Sequence, residues 1–183
     1  LEAVFATSSV ASPTGCATTP LTTTSVQVAW TNNATGAASN HIEKSTDGTV
    51  YTEVGTTAAG IAVYSGAGTN GLSVNTKYWF RTRAKLSDIY SGYSTAEPKY
   101  TLSEKPGKKD FTEISGSIIR INWSANGNPS GTMYYCENIS LEAVTATSET
   151  TWKNSGLTPS TIYAFRIRSK NSDGVYSDWM DMG

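Results

Sequence analysis

Leu72-Ser-Val-Asn-Thr-Lys-Tyr78-Trp-Phe80-Arg-Thr-Arg83 returns later in the chain as Leu157-Thr-Pro-Ser-Thr-Ile-Tyr163-Ala-Phe165-Arg-Ile-Arg168. Each copy follows an apolar run ending in Trp, Val26-Gln-Val-Ala-Trp30 and Ile119-Arg-Ile-Asn-Trp123, which ends 42 residues before Leu72 and 34 before Leu157. Each is then followed by an aromatic-Ser pair, Tyr90-Ser-Gly-Tyr93 and Tyr176-Ser-Asp-Trp179. A repeat of this length fixes domain count and fold together. It divides the 183 residues into two domains, each long enough to bury a modest core without metal or disulfide support.

The runs alternate with period two. Tyr78, Phe80, Thr82 and Ala84 fall on one face, and Trp79, Arg81, Arg83 and Lys85 on the other. Tyr163, Phe165 and Ile167 alternate likewise with Ala164, Arg166 and Arg168. That pattern describes half-buried antiparallel strands. Turn signals interrupt it at short intervals: Thr46-Asp-Gly48, Asn70-Gly71, Asn126-Gly-Asn-Pro129 and Ser172-Asp-Gly174. No stretch offers a helix of ten residues or more, so the spacing predicts sandwiches of short strands.

The order of these residues resembles the fibronectin type III family. Its pattern has a Trp in the second strand, then Leu-x-Pro-x-Thr-x-Tyr ahead of an alternating strand. Trp123, Leu157, Pro159, Thr161 and Tyr163 match it in the second half; Trp30, Leu72, Thr76 and Tyr78 match in the first, where Asn75 stands in the region of the expected Pro. The resemblance implies an all-β fold of two tandem immunoglobulin-like sandwiches of seven strands each. The expected division is an N-terminal segment 1–9, a first domain 10–102 and a second domain 103–183. Segment 1–9 reads either as the tail of a preceding domain or as an exchanged strand, since Leu1-Glu-Ala-Val-Phe-Ala-Thr-Ser8 echoes Leu141-Glu-Ala-Val-Thr-Ala-Thr-Ser148. The absence of an initial Met suggests a processed or truncated piece of something longer.

Within this frame Trp30 and Trp123 are expected at the sandwich centres. Tyr78 and Tyr163 are expected as tyrosine corners, in which the ring fills the core edge and the hydroxyl bonds upstream backbone. Arg81 and Arg83 should reach the solvent side beside Tyr90 and Tyr93. Arg166 and Arg168 should do so beside Tyr176 and Trp179. Neighbouring strands stand roughly 5 Å apart, so the guanidinium planes can stack between rings. Tyr176-Ser-Asp-Trp179 is similar to a degenerate Trp-Ser-x-Trp-Ser box of cytokine-receptor fibronectin domains, which implies the same ladder. Trp79 and Trp152 are candidates for a ligand platform on which sugar rings could stack.

Composition bounds the rest. Charged residues are only 16%, with net charge −1, and nucleic-acid binding wants a basic face. No run approaches the ~18 apolar residues of a membrane helix. Cys16 and Cys136 hold non-equivalent places in the two repeats and read as two small, buried thiols. His41, the one histidine, has no His or Cys partner at metal-ligand spacing and reads as a surface residue. No nucleophile elbow, phosphate loop or facing pair of carboxyls stands out. The sequence therefore points to no catalytic residue, metal ligand or cofactor. Among the Asn-x-Ser/Thr sequons, Asn33 and Asn138 are candidate glycosylation sites. The combined expectation is a non-catalytic extracellular or cell-surface module of a prokaryotic protein, with a spacing or assembly role and protein partners or self-association. The alternative is an accessory spacer or carbohydrate-binding part of a secreted glycan-degrading enzyme.

Overall fold

The computed structural model describes residues 9–36 and 39–183. The segment expected as an N-terminal tail or exchanged strand lies, but for Ser9, outside the described residues. The chain divides into two compact units, residues up to Leu72 with Lys77–Lys99, and Ser73–Thr76 with Tyr100–Gly183. The fold is all-β, and the helical content among the described residues is two single 3-10 turns.

The first unit runs β1 (Thr14–Pro20), β2 (Val26–Thr31), β3 (Ser39–Ser45), β4 (Thr52–Ala58), β5 (Val63–Tyr64), β6 (Lys77–Leu86), β7 (Ile89–Tyr90), β8 (Ser94–Thr95) and β9 (Lys99–Tyr100). One sheet has the order β1-β2-β5. The other is β4-β3-β6, with β7, β8 and β9 paired successively along β6 as one interrupted last strand. The second unit runs β10 (Gly107–Lys108), β11 (Glu113–Ser115), β12 (Ile118–Ser124), β13 (Met133–Asn138), β14 (Ala143–Thr147), β15 (Thr151–Ser155), β16 (Phe165–Lys170) and β17 (Met180–Asp181). Here the first strand is interrupted: β10 and β11 both pair with β12, which also pairs with β15, while the other sheet is β14-β13-β16-β17. With interrupted strands joined, each unit has seven strand positions among the described residues, and the pairings of β1–β8 and β10–β17 are antiparallel.

Period two produces the core directly, because alternate side chains leave opposite faces of a strand. Val26, Val28 and Trp30 from β2 meet Ile42 of β3 and Tyr78 and Phe80 of β6, with Leu72 closing the end. In the second unit Ile121 and Trp123 meet Tyr134 and Cys136 of β13, Phe165 and Ile167 of β16, and Met180 and Met182. Trp123 and Tyr134 touch edge to face at 5.6 Å, a geometry aromatic quadrupoles favour.

Unequal loops leave unequal details. In the first unit Tyr64 lies against Gly55 and Gly66 and donates its hydroxyl to the Val54 carbonyl at 2.7 Å. A Cβ on Gly55 would fall inside that ring, so glycine there is a packing requirement. Trp152 holds the corresponding place in the second unit: Val28 pairs with Tyr64, and Ile121 with Trp152. Its ring packs edge-on against Phe165 at 5.9 Å.

Candidate functional site

The outer face of the β3-β6 and β13-β16 pairs concentrates charge and rings. β3 breaks the usual alternation: His41 and Glu43, on its outer face, are buried along with Ile42 on the inner one. What covers them comes from β6 and from the strand beyond it. Register sets Glu43 opposite Arg81 and His41 opposite Arg83. Glu43 Oε2 accepts the Arg81 Nε–H at 2.8 Å and lies 2.6 Å from its Nη2. Arg83 Nη2 reaches Oε1 at 3.3 Å, and Tyr93 donates its hydroxyl to the same oxygen at 2.7 Å.

The guanidiniums are also stacked. Arg81 sits between Tyr51 and Tyr93, 3.9 and 3.8 Å from their centroids. Arg83 lies 3.9 Å from Tyr90 and 4.8 Å from Tyr93, and Lys85 extends the row at 5.1 Å from Tyr90. Burial pushes the Glu43 carboxyl up, but the bonds from Tyr93 and Arg81 and the two guanidinium charges outweigh it, so the group stays below its ordinary value. The Tyr93 phenol is pushed up, by burial first and then by its carboxylate acceptor.

The second unit repeats the geometry with different chemistry. Glu137 faces Arg166, and Tyr135 faces Arg168. Arg166 donates Nε–H to Glu137 Oε2 at 2.6 Å and stacks on Trp179 at 4.4 Å. Arg168 lies between Tyr176 and Trp179, at 3.7 and 4.2 Å, and Lys170 lies 4.9 Å from Tyr176. Tyr135 meets Tyr176 edge-on at 5.0 Å, the place where His41 meets Tyr90 at 5.2 Å. Nε of both Arg83 and Arg168 is buried without a hydrogen-bond partner among the described residues, so aromatic faces supply much of their surroundings.

The sequence reading named the arginines and the rings of the last strands but missed Glu43, Glu137, Tyr51 and Tyr135. Nothing local marks them, since Arg81 and Glu43 are 38 residues apart.

Other expected residues fall as follows. Trp30 and Trp123 are buried in the cores. Tyr78 is buried and Tyr163 half-buried; the Tyr163 hydroxyl accepts the Thr158 N–H at 2.8 Å, a bond that favours the phenolate and holds the phenol pKa below its ordinary value. The two corner loops turn through left-handed backbone at the same place, Asn75 (φ 43°) and Ser160 (φ 57°).

Several readings need correction. His41 is not a surface residue: it is 9% exposed, with Nδ1 2.8 Å from Glu53 Oε2 and Nε2 3.1 Å from Ser39 Oγ. Asn138 is fully buried, because it shares the inward face of β13 with Tyr134 and Cys136, so its amide is not open to a glycosylating enzyme in the folded chain. Asn33 is exposed, with Nδ2 bonded to the Ser12 carbonyl at 2.9 Å. Trp152 is no open platform, its ring being packed on the core. Trp79 is half-exposed, with Lys77 Nζ 4.9 Å from its ring. Both cysteines are free thiols. Burial pushes Cys16 up to about 11, against a backbone hydrogen bond from Ala96, and Cys136 up to about 12. Among the described residues no group of three or more His, Cys, Asp or Glu side chains could hold a metal ion, and no helix is long and apolar enough to cross a membrane.

Comparison with known structures agrees with this architecture. The chain is similar to a two-domain fibronectin type III segment of chicken tenascin, with a TM-score of 0.68 and 15% identity, over 93% of this chain and 97% of that one. It is also similar to the chicken CNTN1 FN1–FN3 domains, with a TM-score of 0.46 and 15% identity, over 93% of this chain and 65% of that one. The chain thus has the fold of two tandem fibronectin type III domains. No family model matches its sequence, and no curated protein does.

Proposed function

We propose that the chain is a non-catalytic structural module, a spacer or assembly piece of an extracellular or cell-surface protein. Its domains are proposed at 10–102 and 103–183. The observation that carries this reading is the state of the outer faces. The arginines, the carboxylates of Glu43 and Glu137 and the rings of Tyr93 and Trp179 are spent on one another across three adjacent strands. Such cross-strand ties stiffen a sheet and engage the carboxylates and the aromatic faces within the fold.

A low-charge, hydroxyl-rich, cysteine-poor composition supports a secreted prokaryotic origin, and Asn33 is the sequon proposed for glycosylation. Recognition of a glycan would rest on Trp79, since Trp152 belongs to the core. Concentration-dependent sedimentation of the chain, with electron microscopy of the native material, tests the assembly role. Saturable binding of a soluble glycan that is lost in Trp79→Ala would overturn it in favour of a carbohydrate-binding part.

A further inference from the structure

The inner copy of the repeated octapeptide falls on a particular element. Residues 141–148 comprise the end of a 3-10 turn (Ile139–Leu141), its cap Glu142, all of β14 and Ser148. They match residues 1–8 at seven of eight positions, Phe5 against Thr145 being the exception. Among the described residues β14 is an edge strand, paired with β13 alone.

Edges of this kind are normally blunted by charge, proline or a bulge. β4, in the same position of the first unit, carries Glu53 and a register shift against β3. β14 has none of these devices. It reads Ala-Val-Thr-Ala-Thr, pairs without irregularity over five residues, and leaves Val144 57% and Leu141 53% exposed.

Resting on the assembly reading above, we infer that residues 1–8 of a second copy of this chain add as an antiparallel strand to the free edge of β14. Chemistry selects the direction. A parallel, in-register addition would set Glu2 beside Glu142, like charges on neighbouring strands. An antiparallel addition centred on Phe5 and Thr145 sets Val4 against Ala146, Ala6 against Val144 and Phe5 against Thr145. Large side chains then meet small ones throughout, and each glutamate meets a serine (Glu2 with Ser148, Ser8 with Glu142). Main-chain hydrogen bonds supply the adhesion, as in other strand additions. Every copy carries both the segment and the edge, so the contact is heterologous and propagates from copy to copy.

Three proteins test it by sedimentation over a wide concentration range: the full chain, the chain lacking residues 1–8, and full-length Val144→Lys. Val144 is exposed, so the last should melt like the parent. A synthetic peptide of residues 1–8 is titrated separately into the shortened chain and into the shortened chain carrying Val144→Lys. The expected result is association of the full chain, weakened by at least about tenfold in both variants, and saturable peptide binding abolished by Val144→Lys. Association that survives removal of residues 1–8 overturns the strand pairing and leaves the assembly role standing. A full chain that stays monomeric overturns both. Failure of the peptide to bind the shortened chain overturns the pairing by itself.

Discussion

The two ladders occupy the same strands in the same register, yet they neutralise their arginines differently. In the first unit Glu43 is 8% exposed in its side chain and collects Arg81, Arg83 and the Tyr93 hydroxyl. In the second, Trp179 pairs its ring with the arginines where Tyr93 does so in the first, and among the described residues no hydroxyl is bonded to Glu137 there; Glu137 is 14% exposed and held by Arg166. Arg168 is instead enclosed by two rings. Both ladders stack their arginines, and Tyr93 in the place of Trp179 adds a hydroxyl donor to the carboxylate of the first. An acceptor with several charged donors is worth more than an exposed pair, because charge-assisted bonds in partial burial outweigh screened ones.

The sharpest way to break this contrast is to remove the two carboxylates in turn. Glu43→Ala leaves two guanidiniums and a phenol without their acceptor and should cost about 2–3 kcal/mol of unfolding free energy in urea titrations. Glu137→Ala should cost clearly less; equal losses would show that the extra donors on Glu43 contribute nothing. Gly55→Ala, which drives a methyl into Tyr64, should cost about 1–3 kcal/mol and leave the second unit's transition unmoved.

Tyr93→Phe converts the first ladder toward the second and should cost about 1 kcal/mol. It should also raise the Glu43 carboxyl toward its ordinary value, read by NMR titration. The pH dependence has a definite sign. The folded-state value of Glu43 lies below its ordinary 4.5, so its contribution is complete above that pH and is lost as pH falls through the lower folded value. Glu43→Gln should flatten stability in that acid window, and an unchanged slope would contradict the assignment. The smallest effect concerns the thiols. Cys136, pushed up to about 12, should resist alkylation at neutral pH until the chain is unfolded; rapid labelling of the native chain would contradict its burial.

Much of this was readable along the chain. Period two placed Tyr78, Phe80, Phe165 and Ile167 inward and Arg81, Arg83, Arg166 and Arg168 outward, because a strand permits no other distribution. The carboxylates were not readable, since pairing β3 with β6 depends on the whole sheet. For the same reason His41 and Asn138 read as surface residues: local polarity gives no sign that the outer face of β3 is covered or that Asn138 lies on the inward face of β13. Trp152 read as a platform because its Phe165 contact crosses from one sheet to the other.

The sequence by itself determined that there are two units, that both are built of strands, and which face of each strand is apolar. Those properties follow from repeat length and side-chain alternation, which are local. Tertiary structure decided which acid answers which arginine, which polar residues are buried and which strand edge stays open. These depend on register and on neighbours dozens of residues away, and one residue of slip would send every side chain of a strand to the opposite face.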